Sequence, residues 1–207
     1  MAQKEINEQI NIIENISCRI ESGYLISSNE EKIKNILASS DLSTGNIIDI
    51  FISLHIVLEV SLNTLHRHLI LNSFKKRVDK FDVMKNIDNI SFIDKTTLFI
   101  YNSKFAFGDK LSQAEKYHGI ISKLKDFSGI RNQLLHGHSI CSISERGSSK
   151  DSELKKKLNR EYLDKQIKNF KFILEGMRFY LDCLESSFTK SGKEDLKKIY
   201  LNDEFLI

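Results

Sequence analysis

The sequence predicts an all-α protein, a helical bundle, and three observations carry that expectation. The chain of 207 residues has no proline, a residue that β-sandwiches and barrels place at turns and strand edges. Apolar residues recur at three- and four-residue steps through long segments, the period of a helix with one buried face. No Pro/Gly/Ser-rich linker divides the chain and no internal repeat is visible, so one domain is expected over 1–207. Within it, 1–44 reads as a helical extension, 45–190 as the core and 191–207 as a C-terminal tail.

The elements follow in order. Ile6, Ile10, Ile13, Ile16 or Ile20, and Leu25 mark an amphipathic first helix. A short second helix is expected from Asn29 to about Ala38, with Glu30 and Glu31 suited to its positive end. The polar SSDLSTGN connector follows, where Ser43 or Thr44 caps the next element. The third helix, Asn46 to Leu71, is apolar almost all round and belongs at the centre. His55, Glu59 and Asn63 lie at i, i+4 and i+8 on it, with His66 close behind, and so form a polar stripe. A buried carboxylate is costly without a partner, which points Glu59 to a partner or a wet cleft. SFKKRVDKFDVMKNIDN (73–89) reads as a surface helix, Ile90–Tyr101 as another helix, and SKFAFGDK as a loop.

Ser112 and Glu115 have capping-box spacing. Tyr117, Ile120, Ile121, Leu124, Phe127, Ile130 and Leu134 then hold helical register to His136, where Gly137 suits a helix stop. ICSISERGSSKDSELKKK (140–157) reads as a polar loop. The last helix is expected from Asn159 to Phe188, burying Tyr162, Gln166, Phe170, Ile173, Leu174, Met177, Leu181, Leu184 and Phe188.

Composition narrows the functional classes. With 41% apolar and 29% charged residues the chain has the make-up of a soluble globular protein. A net charge of +3 permits a nucleic-acid partner without the clustered excess of a dedicated binder. Cys18, Cys141 and Cys183 are far apart and in no paired motif. Reduced thiols in the cytoplasm are therefore expected, rather than disulfides or a zinc–thiolate site. The amino-terminal MAQKEINEQINIIENI carries acidic residues unlike a signal peptide. Ile47–Leu71 is interrupted by too many polar groups for a membrane span.

The stretch that asks for chemistry is GIRNQLLHGH, residues 129–138, with Arg131, Asn132, His136 and His138 inside eight positions. At about 100° per residue, Asn132 and His136 share a helical face while Arg131 stands about 140° from His136. One helix thus offers an imidazole backed by an amide, with a long guanidinium at its margin. A second copy around a twofold axis would bring two arginines and two histidines into one cleft.

Arg131-Asn132-x-x-x-His136, followed by Gly137, resembles the R-x4-6-H signature of the HEPN superfamily of small helical proteins. The resemblance covers roughly Asn46 to Phe188. It implies a HEPN-like core and a metal-independent endoribonuclease that works as a homodimer with a composite active site. It also implies an occupation common in that family: a toxin of a toxin–antitoxin pair, or an effector of antiviral defence, with an antitoxin or regulatory protein as a further partner.

The chemistry suits RNA. A histidine near its ordinary pKa can take the proton of a ribose 2′-OH or give one to the leaving 5′-oxygen. Arginine can hold the scissile phosphate in a bidentate grip and stabilise its developing charge. The products would be a 2′,3′-cyclic phosphate and a 5′-hydroxyl, with no cofactor required. Arg131 and His136 are the expected catalytic pair, with Asn132 orienting. His138, Glu59 and Asn63 are auxiliary candidates, and Lys155, Lys156 and Lys157 are candidates for holding the RNA backbone.

Plainer readings exist for each. Arg131 can complement a helix dipole, Asn132 can bond backbone, and the lysine run can be a solvated face. His136-x-His138 and His66-x-His68 do not make a metal site, because helical residues two apart point about 200° from each other. A non-catalytic HEPN-like module that binds a nucleotide or a partner protein is the alternative to an enzyme.

Overall fold

The computed structural model describes residues 21–39, 42–73, 86, 89–104, 114–135, 141–143, 149–151, 157–184 and 189–206. The chain is all-α in class. Helix α1 covers 21–38 of the described residues. It is followed by α2 (Thr44–Ser73), α3 (Phe92–Lys104), α4 (Ile120–Leu135), α5 (Arg160–Cys183), α6 (Lys190–Tyr200) and a final 3-10 turn at Glu204–Leu206.

The central helix is apolar for the reason its sequence suggests. Leu54, Leu58, Leu62 and Leu65 are wholly inaccessible, and α1, α3, α4, α5 and α6 pack around it. Ser43 caps it through its hydroxyl, which accepts from the Asn46 amide at 3.2 Å. By length and apolarity alone Thr44–Leu69 could cross a membrane, but 56% of its most apolar window is buried inside the protein.

Helix α1 runs antiparallel along α2, since Ser22 accepts from Thr64 at 2.9 Å and Lys32 pairs with Asp49 at 3.2 Å. The expected break between Leu25 and Asn29 is absent. Asn29 donates to the Leu25 carbonyl one turn back at 2.8 Å and so lies in a helix interior instead of at a helix start. Glu30 consequently sits mid-helix, one turn from Ile26 and Ile33 on the core side, and burial pushes its carboxyl up to about 7.

Helix α3 starts two residues later than the apolar pattern suggests because Ser91 caps it. Its hydroxyl accepts from the Asp94 amide (3.2 Å) and donates to the Asp94 carboxylate (2.7 Å). The helix expected from Tyr117 instead opens with tight turns. The Tyr117, His118 and Ile120 amides bond carbonyls three residues back, and α-helix begins at Ile120. Tertiary packing wins over register here, for the turn lays the Tyr117 ring on Phe172, Phe179 and Tyr180 at 5.4–6.4 Å. Ser112, the expected cap, lies outside the described residues, as do most of 73–89, residues 105–110, and Phe188.

The 140–157 segment is not wholly loop. Cys141–Ile143 and Ser149–Asp151 pair as two short antiparallel strands, Ser142 opposite Lys150.

Asn159 caps α5 by accepting from the Tyr162 amide. Gln166, Phe170, Ile173, Leu174, Met177 and Leu181 are buried on α5, while Tyr162 and Leu184 are half-buried. Gly176 lies where α4 crosses α5, and a Cβ there would stand 2.0 Å from Ile120 Cδ1 and 3.0 Å from Tyr117 Cδ1. Gly176→Ala is therefore expected to destabilise the fold by about 1–3 kcal/mol through overpacking, although alanine is ordinarily the better helix former by about 0.5–1 kcal/mol. Urea denaturation of the variant measures the sign directly.

Residues 190–206 close the core. Leu196, Tyr200, Leu201, Phe205 and Leu206 are buried. Arg178 bonds both the Leu201 carbonyl and, at 2.6 Å, the Asp203 carboxylate. His68 of α2 meets the Tyr200 hydroxyl at 3.1 Å.

Candidate functional site

Arg131 and Asn132 stand on the last two turns of α4. The Arg131 guanidinium donates through Nη1 to Asn132 Oδ1 at 3.1 Å. No carboxylate lies within ion-pair distance of Arg131 among the described residues. A half-exposed guanidinium without a described counter-charge is suited to an anionic ligand. His136 and His138 lie outside the described residues, as do Lys155 and Lys156.

One turn before Arg131 on α4, Phe127 packs against His55 of α2, ring centroids 6.3 Å apart. Phe92 of α3 covers the same imidazole at 5.4 Å. His55 is 3% exposed and its Nδ1 has no hydrogen-bond partner among the described residues. Burial, reinforced by the positive charge of nearby Arg131, lowers its pKa to about 4, so the ring is neutral at physiological pH. Its Nε2 faces Glu59 Oε2 at 3.8 Å, too long for a hydrogen bond.

Glu59, expected to face a partner or a wet cleft, has His55 as its described neighbour. Asn63 accepts from Lys95 Nζ at 3.0 Å, and eight residues separate it from His55, about 12 Å along the helix. The polar stripe read from the sequence therefore divides. His55 and His66 turn into aromatic surroundings, the latter edge-on to Phe99 at 5.4 Å, while Glu59 and Asn63 stay half-buried at the margin. Burial, with Lys95 adding to it, lowers the pKa of His66 to about 3. Lys157 lies with its ammonium 5.9 Å from the Tyr162 ring centroid.

His55 is the residue that sequence reasoning passed over as a site member. Its signal was the His–Glu pair at i, i+4 on an otherwise apolar helix. Proximity to Arg131 depends on how α4 lies across α2, which no local pattern reports. Among the described residues, no three His, Cys, Asp or Glu side chains converge as metal ligands would. No family model matches the chain, and no curated protein or solved structure shows significant similarity to it.

Proposed function

We propose that the protein is a metal-independent endoribonuclease of HEPN type, acting in the cytoplasm as a homodimer, as a toxin or an effector of antiviral defence. The observation that carries this reading is Arg131, a guanidinium without a described carboxylate partner, aligned by Asn132 at the end of α4. His136 follows it at the spacing of the R-x4-6-H signature. In the reaction, His136 removes the proton from a ribose 2′-OH, whose oxygen attacks the adjacent phosphorus. The bond to the 5′-oxygen breaks, that oxygen is protonated by the histidine of the same composite site, and a 2′,3′-cyclic phosphate remains. Arg131 holds the phosphate and stabilises its transition-state charge.

The test is cleavage of end-labelled RNA in EDTA by wild type and by His136→Ala. Cutting by wild type alone, with 2′,3′-cyclic phosphate ends and no action on DNA of the same sequence, is the expected result. If wild type cuts nothing, a non-catalytic module that binds nucleotide or protein replaces this reading.

A further inference from the structure

A cavity of about 170 Å³ lies at the far end of the α3–α4 seam, lined by Thr97, Tyr101, Tyr117, His118, Ile121 and Tyr180 among others. Cavities of about 150 Å³ accept one benzene ring, whereas sites for drug-sized ligands start near about 300 Å³. The space is that of a single planar ring. Three tyrosines and an imidazole give it stacking faces and polar edges, a lining suited to a heteroaromatic base. Tyr101 is 59% exposed at its margin, where a flexible strand can reach it.

The cavity also stands in register with Asn132, the hydrogen-bond partner of Arg131. Ile121 in its wall and Asn132 beside Arg131 are eleven residues apart on α4, which puts them within about 20° of one face and about 16 Å apart. Ser128 lies on that face between them, buried, its hydroxyl without a partner among the described residues. Lys125 stands exposed along the same seam. The line from the guanidinium past a cation to an aromatic pocket has the chemistry of a single-stranded polyanion with bases, and a few extended nucleotides cover its length.

We infer that this cavity is a base-stacking subsite for single-stranded RNA, taking a nucleobase a few nucleotides from the phosphate held by Arg131. The inference rests on the ribonuclease reading. It is tested by fluorescence anisotropy with a short 2′-O-methyl oligouridylate, whose bases are single rings and which lacks the attacking hydroxyl and is not cut. Tyr101→Ala is expected to weaken binding roughly 5- to 100-fold, and Tyr101→Phe to bind as wild type. One abasic position in the oligonucleotide should reproduce the loss in wild type and add nothing in Tyr101→Ala. If Arg131→Ala weakens binding while Tyr101→Ala leaves it unchanged, the subsite is overturned and the ribonuclease reading stands. If wild type does not bind the oligonucleotide at all, the RNA reading fails and takes the subsite with it.

Discussion

Arg131→Ala should lower RNA cleavage by about 100- to 1000-fold, the usual effect of removing one transition-state donor, with folding stability nearly unchanged. The stability expectation follows from the site: Arg131 is half-exposed and its described hydrogen bond goes only to neighbouring Asn132, so its loss leaves no described carboxylate unpaired. Arg131→Lys should recover little activity, because a lysine supplies charge without the planar fork that grips two phosphate oxygens. A second readout is independent of RNA. Arg131 helps hold His55 in its neutral form, so Arg131→Ala should raise the His55 pKa, as followed by NMR of the ring protons. Full activity in Arg131→Ala would remove the phosphate-binding role. An unmoved His55 resonance would show that α4 does not bring the guanidinium near the central helix.

Acid should unfold the protein sooner than its carboxylates alone would require. His55 and His66 are buried in neutral form, with pKa values near 4 and 3 against an ordinary 6.5. The unfolded chain therefore binds protons that the folded one refuses. Their contribution is present above pH 6.5 and is lost as pH falls from there towards 4 and 3. At about 1.4 kcal/mol per unit, the two together cost about 4 kcal/mol by pH 5.

Glu30 acts in the opposite sense. Its raised pKa makes the folded state bind the extra proton between about 7 and 4.5, so it stabilises the fold as pH falls through that window and offsets part of the histidine loss. The histidine loss continues below pH 4.5, where Glu30 offsets no more of it, and is large against a typical total of about 5–15 kcal/mol. Urea midpoints between pH 7 and pH 4.5 measure it. His55→Phe and His66→Phe, each placing a ring where one already packs on Phe92 or Phe99, should flatten the acid limb. A limb of unchanged steepness in both variants would assign the loss to other groups.

Much of the architecture was legible because period and capping are local. The 3.6-residue spacing of Leu54, Leu58, Leu62 and Leu65 identifies a central helix, and the cap hydroxyl of Ser43 is set by where that spacing starts. What failed was judgement of neighbours across space. Asn29 reads as the start of a second helix until α1 is seen to pass through it, since the burial of Ile26 and Ile33 against α2 outweighs the break that its polar side chain suggests. The lysine-rich segment after Thr189 offers few apolar residues to a sequence reader. It is helical because Leu196 and Tyr200, four apart, find the core and His68 supplies a polar partner.

The same division runs through the site. The sequence by itself determined an all-α chain, a helix with His55 and Glu59 one turn apart, and an Arg131-Asn132 pair late on another helix. Only the tertiary structure decided that His55 is buried and neutral between Phe92 and Phe127, that Arg131 lies close enough to act on it, and that Asn63 is held by Lys95. Helical spacing is a property of successive residues and is written in their order. Burial, charge proximity and ionisation state are properties of groups from different helices, and they exist only once those helices have packed.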